Sequence, residues 1–248
     1  MIDIEKKFKN RKNSLSKEIY DSDYLVSSGA VYMPSEAIPR TDLEIKLKEV
    51  NFTFPESLID FYSQAAKLNF VWRIIDDSFQ NGKEKEAVFK EDPWIKKEYL
   101  DNGYSWEAVK ILLSGNLNIT QLENVIDLEN VKATGMYQAA ESLGLKGGDL
   151  RPIDTNEFAV ACMKFEDGKL IDNIYLYTGF GGFPEALHDM KVTFEQYLEL
   201  AYKAKCFNYW NLTYCLKDKS PSYELMKRFF PVIFPHLEPD LAEFGIVY

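Results

Sequence analysis

The chain has 248 residues, 46% of them hydrophobic and 15% aromatic, with a formal charge of −10. A chain of this length buries about 70–75% of the surface it exposes when unfolded, enough for a core without staples. No run approaches the ~18 apolar residues of a spanning helix, which excludes a helical membrane anchor.

Three cysteines, Cys162, Cys206 and Cys215, stand far apart and in odd number, without a CxxC pair. They are expected to be buried free thiols in a reducing compartment rather than a disulfide framework. Met1 to Lys17 is charged and has no apolar stretch of signal-peptide type, so a cytoplasmic protein is expected. Residues 1–20 carry six Lys/Arg against three Asp/Glu, which leaves −13 on the remaining 228 residues. Such a field repels nucleic acid and anionic membrane and speeds encounters with basic partners.

In chain order, Ile4, Phe8, Leu15 and Ile19 are weakly periodic, as in a frayed helix or mobile arm, and Gly29 to Pro39 reads as an ordered loop. Thr41 with Glu44 is a capping-box pair ahead of Leu43, Leu47 and Val50, predicting a short helix over about 42–50. Thr53 and Glu56 repeat the signature with Pro55 in the first turn, and Leu58, Phe61, Tyr62, Ala65 and Ala66 follow one helix face. Phe70 to Ile74 is a strand by its β-formers.

Asp76 to Lys97 is charged and weakly patterned and reads as a surface insertion. Trp106, Val109, Leu112 and Leu113 keep helical spacing up to Gly115. Leu117 to Ile119 is a short strand candidate, and Leu122 to Val131 allows one or two helical turns. Phe158 to Phe165 and Ile174 to Tyr177 flank Asp167-Gly168, the dipeptide of tight hairpins. Gly179 to Pro184 connects to the next element. Thr193 with Gln196 caps a helix running towards Lys205 through Phe194, Tyr197, Leu198 and Ala201. Ser220-Pro221 opens another, carrying Leu225, Met226, Phe229 and Phe230 and stopped by Pro231. Helices, then antiparallel strands, then helices indicate an α+β fold. Without a linker-like composition, one domain over 41–248 is expected, preceded by an arm and loop over 1–40 and closed by a C-terminal helical extension.

Chemistry is harder to find. His188 and His236 are 48 positions apart and match no metal-ligand spacing. Ser114-Gly115 and Ser27-Ser28-Gly29 make no nucleophile elbow. Gly179-Phe180-Gly181-Gly182 lacks the lysine of a phosphate loop. Adjacent acids, Asp76-Asp77 and Glu91-Asp92, with Glu238 and Asp240 further on, are unremarkable in a chain with 39 acids, and acid–base work needs two that converge in one cleft. No catalytic residue, metal or cofactor is assigned, which points to a binder.

Four segments between Leu43 and Trp210, about two-thirds of the chain, carry a resemblance to the SUKH (Smi/Knr-like) superfamily. They are Phe54 to Tyr62 (with Pro55, Phe61 and Tyr62) running into Phe70 to Trp72; Ser114 to Ile119, including Gly115; Leu150 to Asp154 leading into a hairpin; and Thr193 to Leu198 (with Phe194 and Tyr197) followed by Phe207 to Trp210. Two positions depart from the family pattern: Asn69-Phe70 stands where Asn-Gly is common, and Lys205-Cys206 where Arg-Gly is common. Residues 1–40 and 215–248 have no counterpart. The resemblance implies a central, mostly antiparallel twisted sheet flanked by helices and no catalytic residues. It also implies a role as a bacterial immunity protein that neutralises a polymorphic toxin, often a nuclease. A regulatory or scaffolding module for an endogenous protein is the alternative, and an enzyme with an unrecognised carboxylate pair ranks third. For an immunity protein the partner is a basic toxin domain, and the expected contact face is Asp76, Asp77, Glu91 and Asp92.

Overall fold

The computed structural model describes residues 7–32, 36–79, 81–155, 159–180, 184–237 and 240–247. The architecture is α+β. Seven strands hydrogen-bond in chain order into one open sheet: β1 (Leu25–Tyr32), β2 (Leu68–Ile74), β3 (Gly115–Ile119), β4 (Leu150–Thr155), β5 (Ala159–Glu166), β6 (Lys169–Thr178) and β7 (Ala186–Asp189). From β3 to β7 every pairing is antiparallel. The chain packs as two compact units. One is drawn from Val31–Asn69 and Leu117–Ala201, the other from Arg11–Ala30, Phe70–Asn116 and Tyr202–Tyr248.

In the first unit, helices α2 (Arg40–Glu49) and α3 (Glu56–Tyr62) are joined through Arg40, which donates to Glu44 at 2.9 Å, to Asp60 at 2.9 Å and to both oxygens of Glu56. Those bonds explain why neither predicted capping box forms: the carboxylates meant to reach back are held by Arg40. α2 starts from Pro39 and α3 from Pro55, and Thr53 instead bridges to Lys169. The hairpin of β5 and β6 closes as predicted, with Glu166 opposite Lys169 and with Asp167 and Gly168 both at positive φ, 48° and 81°. Phe158, at its predicted start, lies outside the described residues. Pro152 has no N–H for the ladder, yet it sits within β4; a bulge between Pro152 and Asp154 absorbs the break. Three short helices, α7 (Leu122–Ile126), α8 (Leu128–Ala133) and α9 (Met136–Ser142), precede β4, and Val131, Met136 and Ala140 bury against Leu150, Cys162 and Tyr177. α10 (Phe194–Lys203) opens with the expected reciprocal cap: Thr193 N donates to Gln196 Oε1 at 2.9 Å and Gln196 N to Thr193 Oγ1 at 3.3 Å.

The second unit is built on aromatic packing. The helix α1 (Lys7–Tyr20) sends the fully buried Ile19 and nearly buried Leu15 inward, so the expected mobile arm is packed structure from Leu15 onward. The expected loop over 29–39 is strand as far as Tyr32. The expected surface insertion contains α4 (Gly82–Lys90), whose Gly82, Glu86 and Phe89 are buried. A charged residue on the inner face masks its periodicity. α5 (Pro93–Ile95) runs into a π-helical turn over Lys96–Leu100, and α6 (Trp106–Leu112) is capped by Ser105. The last helices are α11 (Trp210–Leu216) and α12 (Tyr223–Ile233). Pro231 does not stop α12: only the last two residues of the helix lie beyond it, and Phe230 and Ile233 on either side are buried. Ser222, not Ser220, occupies the N-cap, and its hydroxyl bonds Tyr209 O at 3.1 Å.

Candidate functional site

The motif residues of the first unit converge around one buried carboxylate. Asp154 pairs with Ile119 across β3 and β4, and one of its oxygens accepts from Asn118 N at 2.9 Å. The other accepts from Tyr197 Oη at 2.7 Å, reaching in from α10. Asn118 Nδ2 in turn donates to Thr155 Oγ1 at 2.7 Å. Burial pushes the Asp154 carboxyl up to about 6, partly offset by the bonds from Tyr197 and Asn118. Phe61 and Phe194 meet edge to face at 5.5 Å, and Tyr62 Oη donates to Thr120 O at 3.0 Å. Asp154 is 3% exposed, and its side-chain partners include no second carboxylate, so it acts as a fastener between strand and helix.

Trp72, Gly115 and Phe207 gather likewise in the second unit. Trp72 Nε1 donates to Lys205 O at 2.6 Å, and the indole meets Phe207 and Phe234 edge-on at 5.9 and 5.7 Å. A Cβ on Gly115 would stand 2.1 Å from Trp72 Nε1, so only glycine fits beneath the ring. Asn116 N donates to Cys206 O and Asn208 N to Ser114 O, both at 2.7 Å. These bonds hold Lys205 and Cys206 in the left-handed region, φ 51° and 53°. Trp210, 1% exposed, packs on Phe244 at 6.3 Å.

The four acids expected at the contact face flank α4. Asp76 accepts from Ser78 N at 3.0 Å and from Ser78 Oγ, which hold its carboxyl below the usual range. Asp77 is exposed, and among the described residues its carboxylate has no ion-pair or hydrogen-bond partner. Asp92 caps α5 by accepting from Trp94 N at 2.9 Å and Ile95 N at 3.1 Å. Glu91 is tied to Lys96, which lowers its carboxyl. The two pairs sit at opposite ends of a nine-residue helix, roughly 13 Å apart along its axis, and do not form one cluster. Asp76 and Asp92 serve local turns first. On the inner side, Glu86 accepts from Trp106 Nε1, and Lys110 Nζ lies 3.9 Å from both Glu86 and Asp76 and 2.7 Å from Glu107.

What the acids alone do not reveal is an aromatic run beside them. Trp94 meets Tyr99 edge to face at 5.6 Å, and Tyr99 meets Tyr104 in the same manner at 5.6 Å. The guanidinium of Arg228 lies over Trp94 at 4.8 Å, 3.6 Å from Glu224. Tyr104 is 54% exposed. Burial, then Tyr104 and Glu98, push the Tyr99 phenol up to about 12. The π-turn produces this arrangement: Asp101 N bonds Lys96 O at 2.8 Å, five residues back, and Tyr104 N bonds Tyr99 O at 3.1 Å. Gly103, at φ 87°, closes the turn, and Asn102 Nδ2 covers the carbonyls of Lys97 and Glu98. Tyr99 and Tyr104 are five apart, a spacing no regular helix or strand places on one face, so periodicity misses them.

Among the described residues, no group of His, Cys, Asp and Glu is arranged to hold a metal ion, and no helix is long and apolar enough to cross a membrane. The three cysteines are thiols outside any disulfide, Cys162 and Cys206 buried and Cys215 half-buried. His188 is half-buried in β7, where burial lowers its imidazole, and His236 is exposed. Gly181, Gly182 and Glu238 lie outside the described residues.

No protein-family model, curated protein or solved structure matches this chain.

Proposed function

We propose that this protein works by binding another protein, as an immunity protein that occludes a basic toxin domain. The contact surface in this reading is the segment from Asp76 to Tyr104 with Arg228. The observation that carries the reading is the partly exposed Trp94–Tyr99–Tyr104 run with Arg228 over its first ring. Tryptophan, tyrosine and arginine dominate the energetics of protein interfaces, because large rigid groups release much water for little lost rotamer freedom. The −10 charge of the chain adds steering towards a basic partner. Glu91, Glu98 and Asp101 lie in the same stretch of chain as the rings and add negative charge to it.

The test is a titration of the purified protein against the toxin domain encoded beside its gene. A complex at micromolar or tighter affinity, with toxin activity suppressed in step, is expected. Full toxin activity and no heat of binding at those concentrations would end the immunity reading.

A further inference from the structure

We infer that Tyr99 and Tyr104 form a receiving site for a guanidinium group, so that an arginine side chain of the partner stacks there as Arg228 stacks on Trp94. The identity of the partner rests on the function proposed above; the chemistry of the site does not.

The protein itself shows the binding mode. Arg228 sits 4.8 Å above the Trp94 ring and is steadied by Glu224. Trp94, Tyr99 and Tyr104 then follow edge to face, with centroids 5.6 Å apart at each step and interplanar angles of 72° and 77°. Successive perpendicular rings offer a cation the negative face of one ring beside the next. The first position is filled from within, while the last ring is more than half exposed.

Charge favours the same ligand. Residues 91–104 carry Glu91, Asp92, Glu98 and Asp101 against Lys96 and Lys97, and Glu224 stands beside Arg228. Each of those cations already has a carboxylate: Lys96 with Glu91, Lys97 with Glu98 at 3.3 Å, and Arg228 with Glu224. Asp101 is exposed and, among the described residues, without an ion pair, two positions from Gly103 and three from Tyr104. A guanidinium suits such a site better than an ammonium, because it is planar, weakly hydrated and stacks on a ring while its edge donates to a carboxylate.

The experiment compares end-blocked hexaarginine and hexalysine peptides, equal in charge, for binding to the full chain by calorimetry at low and at physiological salt. The wild type should bind hexaarginine about three- to fivefold more tightly at both salt concentrations, the range of an exposed cation–π contact. Tyr104→Ala should erase that preference and leave hexalysine affinity within about twofold, while Tyr104→Phe, which keeps the ring, should retain it. Circular dichroism confirms that both variants fold. Equal affinity of the two peptides for the wild type, or a preference that survives Tyr104→Ala, would overturn the assignment. With a toxin domain in hand, loss of affinity in Tyr104→Ala but not in Tyr104→Phe supports the site, and indifference to both removes it from the interface. A peptide preference without any toxin complex leaves the receiving site standing and removes the immunity reading instead.

Discussion

Around Asp154, a carboxylate, a phenol and a backbone amide meet inside the first unit; around Trp72, an indole, a glycine and a main-chain carbonyl meet inside the second. Both junctions tie a strand to a distant segment, yet they draw on different physics. The first depends on hydrogen bonds that partly compensate a buried titratable group, so its contribution changes with protonation. The second depends on shape, a ring filling the space where a side chain is absent, and has no proton to lose. One chain therefore carries a junction sensitive to pH and a junction sensitive to volume.

The sharpest way to break the comparison is Gly115→Ala. With the new Cβ 2.1 Å from Trp72 Nε1, the fully buried ring must shift and release its bond to Lys205. A loss of about 3 kcal/mol is expected in urea denaturation, the upper range for overpacking, and the penalty should be the same at pH 4 and pH 7. Tolerance of alanine would show that the ring is not wedged as described.

Asp154→Asn tests the other side. The carboxyl titrates near 6 in the folded chain against 3.8 in its absence, so the fold favours the neutral form. Stability from this group is full below about pH 4 and is lost as pH rises through 6, about 3 kcal/mol in all. The variant should therefore gain on the wild type by that order between pH 4 and pH 7, read as the difference of their unfolding free energies. A difference that stays flat would mean Asp154 is not held as described.

The smallest effect is expected from Asp92→Ala. It removes the side chain that accepts from Trp94 N and Ile95 N, and should cost about 1 kcal/mol. Because that cap fixes the start of the segment bearing Trp94 and Tyr99, thermal melting of the variant should be accompanied by altered near-ultraviolet dichroism from those rings.

Much of the fold is readable from local chemistry. Asp167-Gly168 specifies its hairpin, Thr193 with Gln196 specifies its helix start, and Trp106 to Leu113 follows helical spacing, because in each the deciding forces act within a few residues. The failures have a common cause, which is competition from distant groups. Arg40 takes the carboxylates that would have capped α2 and α3, and Glu86 occupies an inner face where an apolar residue would have announced α4. Trp72 and Gly115, and separately Ile119, Asp154 and Tyr197, lie far apart in the chain and come together in the structure. The four acids proposed for a contact face do not, since adjacency in sequence says nothing about what else competes for a carboxylate. Tyr99 and Tyr104 were invisible because a π-turn, not a regular helix, brings them together.

The short last strand carries a consequence for colloidal behaviour. β7 contributes only four residues to the sheet margin and ends at Asp189, whose carboxylate is engaged by Asn173 and by the amide of Lys191. A foreign strand annealing there would find few unpaired amides and carbonyls and would meet a negative charge at the end of the ladder. That margin therefore discourages sheet-by-sheet polymerisation into fibrils, and concentrated solutions should stay free of thioflavin-positive material nucleated from it.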